Sequence, residues 1–174
     1  MKKTILICGK AESGKDEVAK HLEKELLSKK QRVLIFPITY FFKELLKKQY
    51  GWNGKKDKKG RTLLQEIGEK YNNASPCLWA KMTGELLHSV VKDYDFFIIT
   101  GVRRKVEIEY LKKQFKAVAI QVQRPKHKNK LTAEQNQHIT ETDLDDFVFD
   151  HVIENDEDNS LKTKTTQFLN TILA

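Results

Sequence analysis

The chain is predicted to fold as a three-layer α/β domain, a five-stranded parallel sheet with helices on both faces. Three observations carry this expectation. Short runs rich in β-branched and aromatic residues alternate with stretches whose apolar residues recur at helical spacing. The first such run leads into a glycine-bounded turn and then a helical stripe, the opening of a βαβ unit. The chain has 174 residues, 39% of them hydrophobic, enough for one full core without disulfides or metals.

Thr4 to Cys8 (TILIC) is apolar throughout and reads as a strand buried on both faces. After Gly9–Lys15, the residues Val18, Ala19, Leu22 and Leu26 make one face of a helix. Arg32 to Phe36 is the second strand, stopped by Pro37, and Phe41, Phe42, Leu45 and Leu46 start a helix that ends near Gly51. Residues 53–60 read as a charged loop bounded by glycines. Leu63, Leu64 and Ile67 mark the next helix, and Leu78, Met82, Leu86, Leu87, Val90 and Val91 another, opened by Pro76. Phe96 to Ile99 is the third strand, and Val106, Ile108 and Leu111 follow as a helix. Ala117 to Val122 is the fourth strand, residues 124–138 are polar, basic and without period, Val152 and Ile153 lie in a short fifth strand, and Leu161 to Leu173 is the last helix. No repeat or long linker divides the chain, so residues 1–174 are expected to form a single domain.

Several function classes are excluded at this level. No apolar run reaches the 18 or more residues of a membrane span. The opening MKKTILICGK has lysines and an apolar stretch, but Gly9–Lys15 follows where a leader would carry a small-residue cleavage site. Cys8 and Cys77 are too few for a disulfide framework or a thiolate metal site, so a reduced, cytoplasmic protein is expected. The net charge of +8 suits nucleic acid, an anionic surface or a phosphorylated small molecule, but it is unevenly spread. Residues 43–61 and 103–130 are strongly basic and residues 141–158 hold nine acids and no Lys or Arg, a distribution that favours no one of these outright and leaves the choice to the motifs.

The chemistry lies in Gly9-Lys10-Ala11-Glu12-Ser13-Gly14-Lys15, which fits G-x-x-x-x-G-K. The glycines let the backbone curl so that successive N–H groups face one anion, and the following helix adds its positive N-terminal end. Lys15 is placed to reach the β- and γ-phosphates of a nucleotide. Asp16 stands where Ser or Thr is usual; its carboxylate is a hard ligand suited to Mg²⁺, or a cap for the helix. Arg103 and Arg104 follow the third strand at its carboxyl end, where ligands of open α/β sheets bind; Arg103 can grip a phosphate through its planar fork or pair with Glu107 one helical turn on. No Ser-His or Cys-His pair suggests covalent catalysis.

The run GKAESGKDEVAKHL resembles the opening of phage-type deoxynucleoside monophosphate kinases, and further segments resemble that family in the same order: GRTLLQEIG, CLWAKM, TGVRRKVEIEYL, VQRP, HITETDLDDF and FDHVIEND. The resemblance implies a three-layer P-loop kinase fold with an acceptor-binding helical region over about 40–92 and a lid over about 124–142. It implies ATP and Mg²⁺ as cofactors, Arg61 on the acceptor's monophosphate, Gln65 on its base, and Lys43, Trp79, Arg103 and Arg104 also on the acceptor. It implies Arg124 in a mobile lid that closes over the nucleotide, and Asn155 near the adenine. Two positions depart from the family: Gly101 stands where an Asp is usual, and no acid follows the second strand, which reads Phe36-Pro37-Ile38-Thr39. His138 and Glu141 match a family element for which the sequence offers no mechanism.

The expected activity is therefore ATP-dependent phosphoryl transfer to a deoxynucleoside monophosphate. The partner is a small nucleotide, with no nucleic acid or membrane, and a homodimer is left open. A phosphomevalonate kinase-like enzyme, which shares S-G-K-D and the arginine pair, and a nucleotide-binding protein of reduced activity are the alternatives. Lys56 and Lys58 are read as solvated loop charge.

Overall fold

The computed structural model describes residues 3–156 and 160–174. Its strands are β1 (Lys3–Cys8), β2 (Val33–Pro37), β3 (Phe96–Val102), β4 (Val118–Gln123) and β5 (His151–Glu154). They form one parallel sheet in the order β2-β3-β1-β4-β5, with β1 at the centre. The helices are α1 (Lys15–Ser28), α2 (Tyr40–Tyr50), α3 (Lys58–Ala74), α4 (Leu78–Ser89), α5 (Lys105–Phe115), α6 (Ala133–Gln137), α7 (Ile139–Thr142) and α8 (Leu161–Leu173).

The alternation of side chains along β1 explains why its run is apolar without a break. Ile5 and Ile7 enter a core beneath α1 and α8, with Val18, Leu22, Leu26, Phe168 and Leu169. Leu6 and Cys8 enter the opposite core with Phe42, Leu46, Trp79, Leu87, Ile108 and Leu111 from α2, α4 and α5. Both faces of the strand are covered, so apolar residues are favoured on each.

Two expectations about loops need correction. The helix after the charged loop starts earlier than its apolar stripe, because Asp57 caps it by accepting from the Gly60 N–H at 2.8 Å. The loop ahead of it is pinned by buried Trp52, whose Nε1 donates to the Lys55 carbonyl at 3.0 Å. Residues 124–138, read as aperiodic, contain α6 and lead straight into α7. Thr132 caps α6 by accepting from Gln135 N–H, and His138 caps α7 by accepting from Thr140 N–H. These helices are too short to show a 3.6-residue stripe, so periodicity was silent and only the caps betray them.

The acidic segment has a structural partner. Glu141, Asp143, Asp146 and Asp150 pair with Arg103, Arg104, Lys105 and Lys112, all at or near the start of α5 or along it. Charges that are segregated along the sequence are thus interleaved in space. The basic residues Arg103, Arg104, Lys105 and Lys112 thus have acidic partners within the domain.

Candidate active site

The phosphate loop joins the carboxyl end of β1 to the start of α1. Gly9 has φ of +146°, and a Cβ there would lie 2.5 Å from the Val122 carbonyl oxygen of β4. Only glycine lets the loop lie this close to the sheet. Glu12 is held in the left-handed region at φ +63°. Asn155, at the end of β5, supports the loop from below: its Nδ2 donates to the Ser13 carbonyl at 3.1 Å, and the residue is buried. Lys15 Nζ donates to the Lys10 carbonyl at 3.0 Å, folding the side chain over the loop. Burial above all, with Arg103 beside it, lowers the Lys15 pKa from near 10.5 to about 8. Lys10 itself turns outward to Asp145 at 2.7 Å.

A cavity of about 450 Å³ opens in front of this loop. Ala11, Glu12, Lys15 and Asp16 form one wall, and α3 faces them with Arg61, Leu64, Gln65, Gly68 and Asn72. Phe42 and Lys43 of α2 and Trp79 of α4 line it too, as do Arg103 and Arg104 at the end of β3 and Thr140 and Glu141 of α7. All six residues expected on the acceptor, Lys43, Arg61, Gln65, Trp79, Arg103 and Arg104, therefore meet around one space. Burial lowers the Lys43 pKa, as it does that of Lys15. Arg124 and Asn155 are not among the lining residues: Arg124 Nη1 donates to the Glu12 carbonyl at 3.2 Å, from the shoulder of the loop.

The partners of these residues differ from the sequence expectations in instructive ways. Arg103 does not pair its side chain with Glu107. The buried Glu107 carboxylate instead accepts from the backbone N–H groups of Arg103 (3.0 Å) and Arg104 (3.2 Å), which fixes the turn bearing both arginines. Desolvation raises the Glu107 pKa, against these hydrogen bonds. The Arg103 guanidinium binds Glu141 and, at 3.1 Å, the Thr140 carbonyl. Arg104 Nε donates to Asp143 at 3.3 Å. Arg61 Nη2 reaches Glu12 Oε1 at 3.2 Å, and the other oxygen of Glu12 lies 3.1 Å from His127 Nε2. The His127 hydrogen bond, first, and the charge of Arg61 hold the Glu12 carboxyl below its usual range.

Gln65 Nε2 donates to the Gln135 carbonyl at 3.0 Å, and Gln135 Nε2 reaches the Lys58 carbonyl and Thr62, so α6 is docked on α3. Trp79 fills the core against Phe42 and Tyr71 (ring centroids 5.1 and 5.7 Å) while lining the cavity. Lys56, expected as solvated loop charge, is exposed and also lines the cavity. Gly101 is the extra residue of a bulge between the Thr100 and Val102 pairings with β1, at φ +76°, with open space where a side chain would project. Glu141 was missed as a site residue; its signal was an acid opening the acidic stretch that answers the arginine-bearing turn.

Among the described residues no cluster of three or more His, Cys, Asp or Glu forms a ready-made metal site. Asp16 contributes one hard carboxylate oxygen at the cavity wall, a donor type that would suit Mg²⁺. Both cysteines are buried and their thiols are pushed up by burial, Cys77 to about 11, so neither is a ready nucleophile.

Solved structures share the fold. An unliganded sugar kinase from Janibacter aligns with a TM-score of 0.59 at 13% identity, covering 99% of this chain and 95% of that one. The Mycobacterium tuberculosis APS kinase in complex with AMPPNP and APS aligns at 0.54 and 12% identity, covering 99% and 98%. Shikimate kinase from Bacteroides thetaiotaomicron aligns at 0.51 and 12% identity, covering 98% of each chain. The fold is thus that of P-loop kinases. Among curated proteins none matches the chain in sequence. Residues 46–165 match the family model described as deoxynucleotide monophosphate kinase, a span that holds Arg61, Gln65, Trp79, Arg103 and Arg104, though not Lys43, and lies wholly downstream of the phosphate loop. Loop and span point the same way from separate parts of the sequence: the chain belongs to the deoxynucleotide monophosphate kinase family, and its reaction is phosphoryl transfer to a deoxynucleoside monophosphate.

Proposed function

We propose that ATP is the phosphoryl donor and that the cavity holds both nucleotides end to end. The observation that carries this reading is the single cavity walled on one side by Lys15 and Asp16 and on the other by Arg61, Arg103 and Arg104. Lys15 and the loop amides without a partner inside the protein take the donor phosphates, the Ala11 and Ser13 amides being held by Glu141 and the Lys10 carbonyl, with Arg124 at the loop's shoulder. Asp16 is the residue that would hold Mg²⁺, which neutralises charge on the donor phosphates when bound. Arg103 and Arg61 grip the acceptor's monophosphate, and Lys43 and Arg104 add positive charge behind them. The base lies against Phe42, Leu64 and Trp79, with the amides of Gln65 and Asn72 at its edge.

In this arrangement the protein needs no strong base, because the attacking oxygen belongs to a monophosphate that is already anionic. Catalysis comes from alignment and from cations placed around the transferred group. The segment 124–142, docked on α3 through Gln135, acts as the lid that excludes water. The product is the deoxynucleoside diphosphate.

A coupled kinase assay with ATP and Mg²⁺ over the four deoxynucleoside monophosphates and phosphomevalonate tests this directly. Turnover is expected with at least one nucleotide and none with phosphomevalonate. Turnover of phosphomevalonate alone, or of no nucleotide, overturns the assignment.

A further inference from the structure

We propose that Glu141 is a positioning residue that locks Arg103 to the phosphate loop, so that the acceptor-side arginine is set at a fixed place relative to the donor. The inference rests on the reading of Arg103 as a ligand of the acceptor phosphate. Glu141 sits on α7, outside the phosphate loop and outside α5, yet its two carboxylate oxygens are divided between them. Oε2 accepts the Ala11 N–H of the loop at 2.9 Å, and Oε1 accepts from the Arg103 guanidinium. Its side chain is only 7% exposed. A carboxylate used at both oxygens cannot swing without breaking one contact, so it transmits the position of the loop to the arginine.

Electrostatics give the same carboxylate a second task. Lys15 and Arg103 are close enough that Arg103 helps lower the Lys15 pKa, and Glu141 is among the groups that oppose this. Two cations that must converge on one phosphoryl group repel each other before substrate arrives. Glu141 is the anion beside both, and without it Arg103 is expected to drift toward solvent. Arg103 also donates to the Thr140 carbonyl, so α7 holds the guanidinium by two consecutive residues.

The test is a double-mutant cycle on Glu141→Gln and Arg103→Ala, with Glu141→Asp as a second variant that keeps the charge but is one methylene short. Glutamine retains the shape but places an amide NH₂ where one of the two donors points. Glu141→Gln is expected to lose about 10- to 100-fold in kcat/KM for the deoxynucleoside monophosphate, with the KM for ATP changed less than about threefold. The double variant is expected to match Arg103→Ala alone within about twofold, because Glu141 acts through that arginine. Glu141→Asp is expected to fall between wild type and Glu141→Gln.

A readout without substrate accompanies the kinetics: hydrogen exchange at the Ala11 amide of the ligand-free protein, expected to rise at least tenfold in Glu141→Gln while the amides of β1 keep their protection. Additive losses in the cycle, or unchanged Ala11 exchange in both Glu141 variants, overturn the proposal. So does tighter ATP binding with unchanged acceptor kinetics, the behaviour of a carboxylate that merely plugs the phosphate loop. Absence of wild-type turnover would defeat the functional reading instead, and the exchange measurement would still decide whether Glu141 holds the loop.

Discussion

The phosphate loop and the acceptor wall face each other across one cavity, yet they are built by opposite means. The loop is seven consecutive residues whose geometry is set by backbone: Gly9 against the Val122 carbonyl, Glu12 in the left-handed region, Asn155 beneath Ser13. The acceptor wall takes one or a few side chains each from α2, the 52–57 loop, α3, α4, the end of β3 and α7. Its arginines are aimed by ion pairs to residues far along the chain, Arg61 to Glu12 and Arg103 to Glu141. A backbone-built site is expected to fail all at once when its one essential cation is removed. A side-chain-built site is expected to fail in parts.

The sharpest way to break this contrast is Lys15→Ala. Loss of a positioned cation at the transferred group is expected to lower kcat by about 100- to 1000-fold, with an unchanged circular dichroism spectrum. Near-normal turnover would remove the loop from the mechanism.

Across the cavity the losses are expected to be smaller. Arg103→Ala should cost about 10- to 150-fold in kcat/KM for the acceptor, and Arg61→Ala a loss on the same scale, since both side chains are 21% exposed and each is paired with one carboxylate. Lysine at either position should restore only part, lacking the planar fork. Lys58→Ala is the suitable control; Lys56 is not, because it lines the cavity. Equal losses at Lys58 and Arg103 would mean that the acceptor site lies elsewhere.

Asn155→Ala asks whether the loop depends on its support. It leaves the Ser13 carbonyl without the Asn155 Nδ2 donor in a buried place, so a stability loss of about 1–3 kcal/mol is expected. In a chain of this size that corresponds to a melting-temperature drop of about 2–10 °C, with a modest rise in the KM for ATP. An unchanged melting temperature would show that the loop holds its shape unaided.

The smallest effect is protonic. Lys15 titrates near 8 when free, and a polyphosphate in the loop favours its charged form. Binding ATP at pH 8 should therefore take up about half a proton and at pH 6 almost none, as read by calorimetry in two buffers of different ionisation heat. Affinity should fall as pH rises above 8. For the free protein the sign is reversed in its consequence: the unfolded lysine, near 10.5, binds more protons than the folded one between pH 8 and 10.5, so this group's contribution to stability rises with pH across that window. Equal proton uptake at both values would place the Lys15 ammonium outside the phosphate site.

Most of the sheet was legible because strand β1 and the stripe of Val18, Leu22 and Leu26 obey simple periods, and burial of those residues is what their spacing announces. The loop between them was legible for the same local reason: its glycines and its lysine fall within seven contiguous residues. The cavity arginines Arg61, Arg103 and Arg104 could be named from their place after β3 and at the start of α3, since strand ends and helix starts are where such sheets bind ligands. Helices α6 and α7 were not legible, because five and four residues are too few for a period to emerge.

Sequence alone thus determined the parallel α/β architecture, the position of the glycine-bounded loop and several of the residues that line the cavity in front of it, all of which follow from interactions within a few residues or from regular spacing. Only the tertiary structure decided which charges meet. Glu12 lies 49 residues from Arg61, and Glu141 lies 38 from Arg103 and 130 from Ala11. No local pattern records such pairings, because they exist only once the sheet order β2-β3-β1-β4-β5 has brought the carboxyl ends of the strands together and the loops above them have closed on one another.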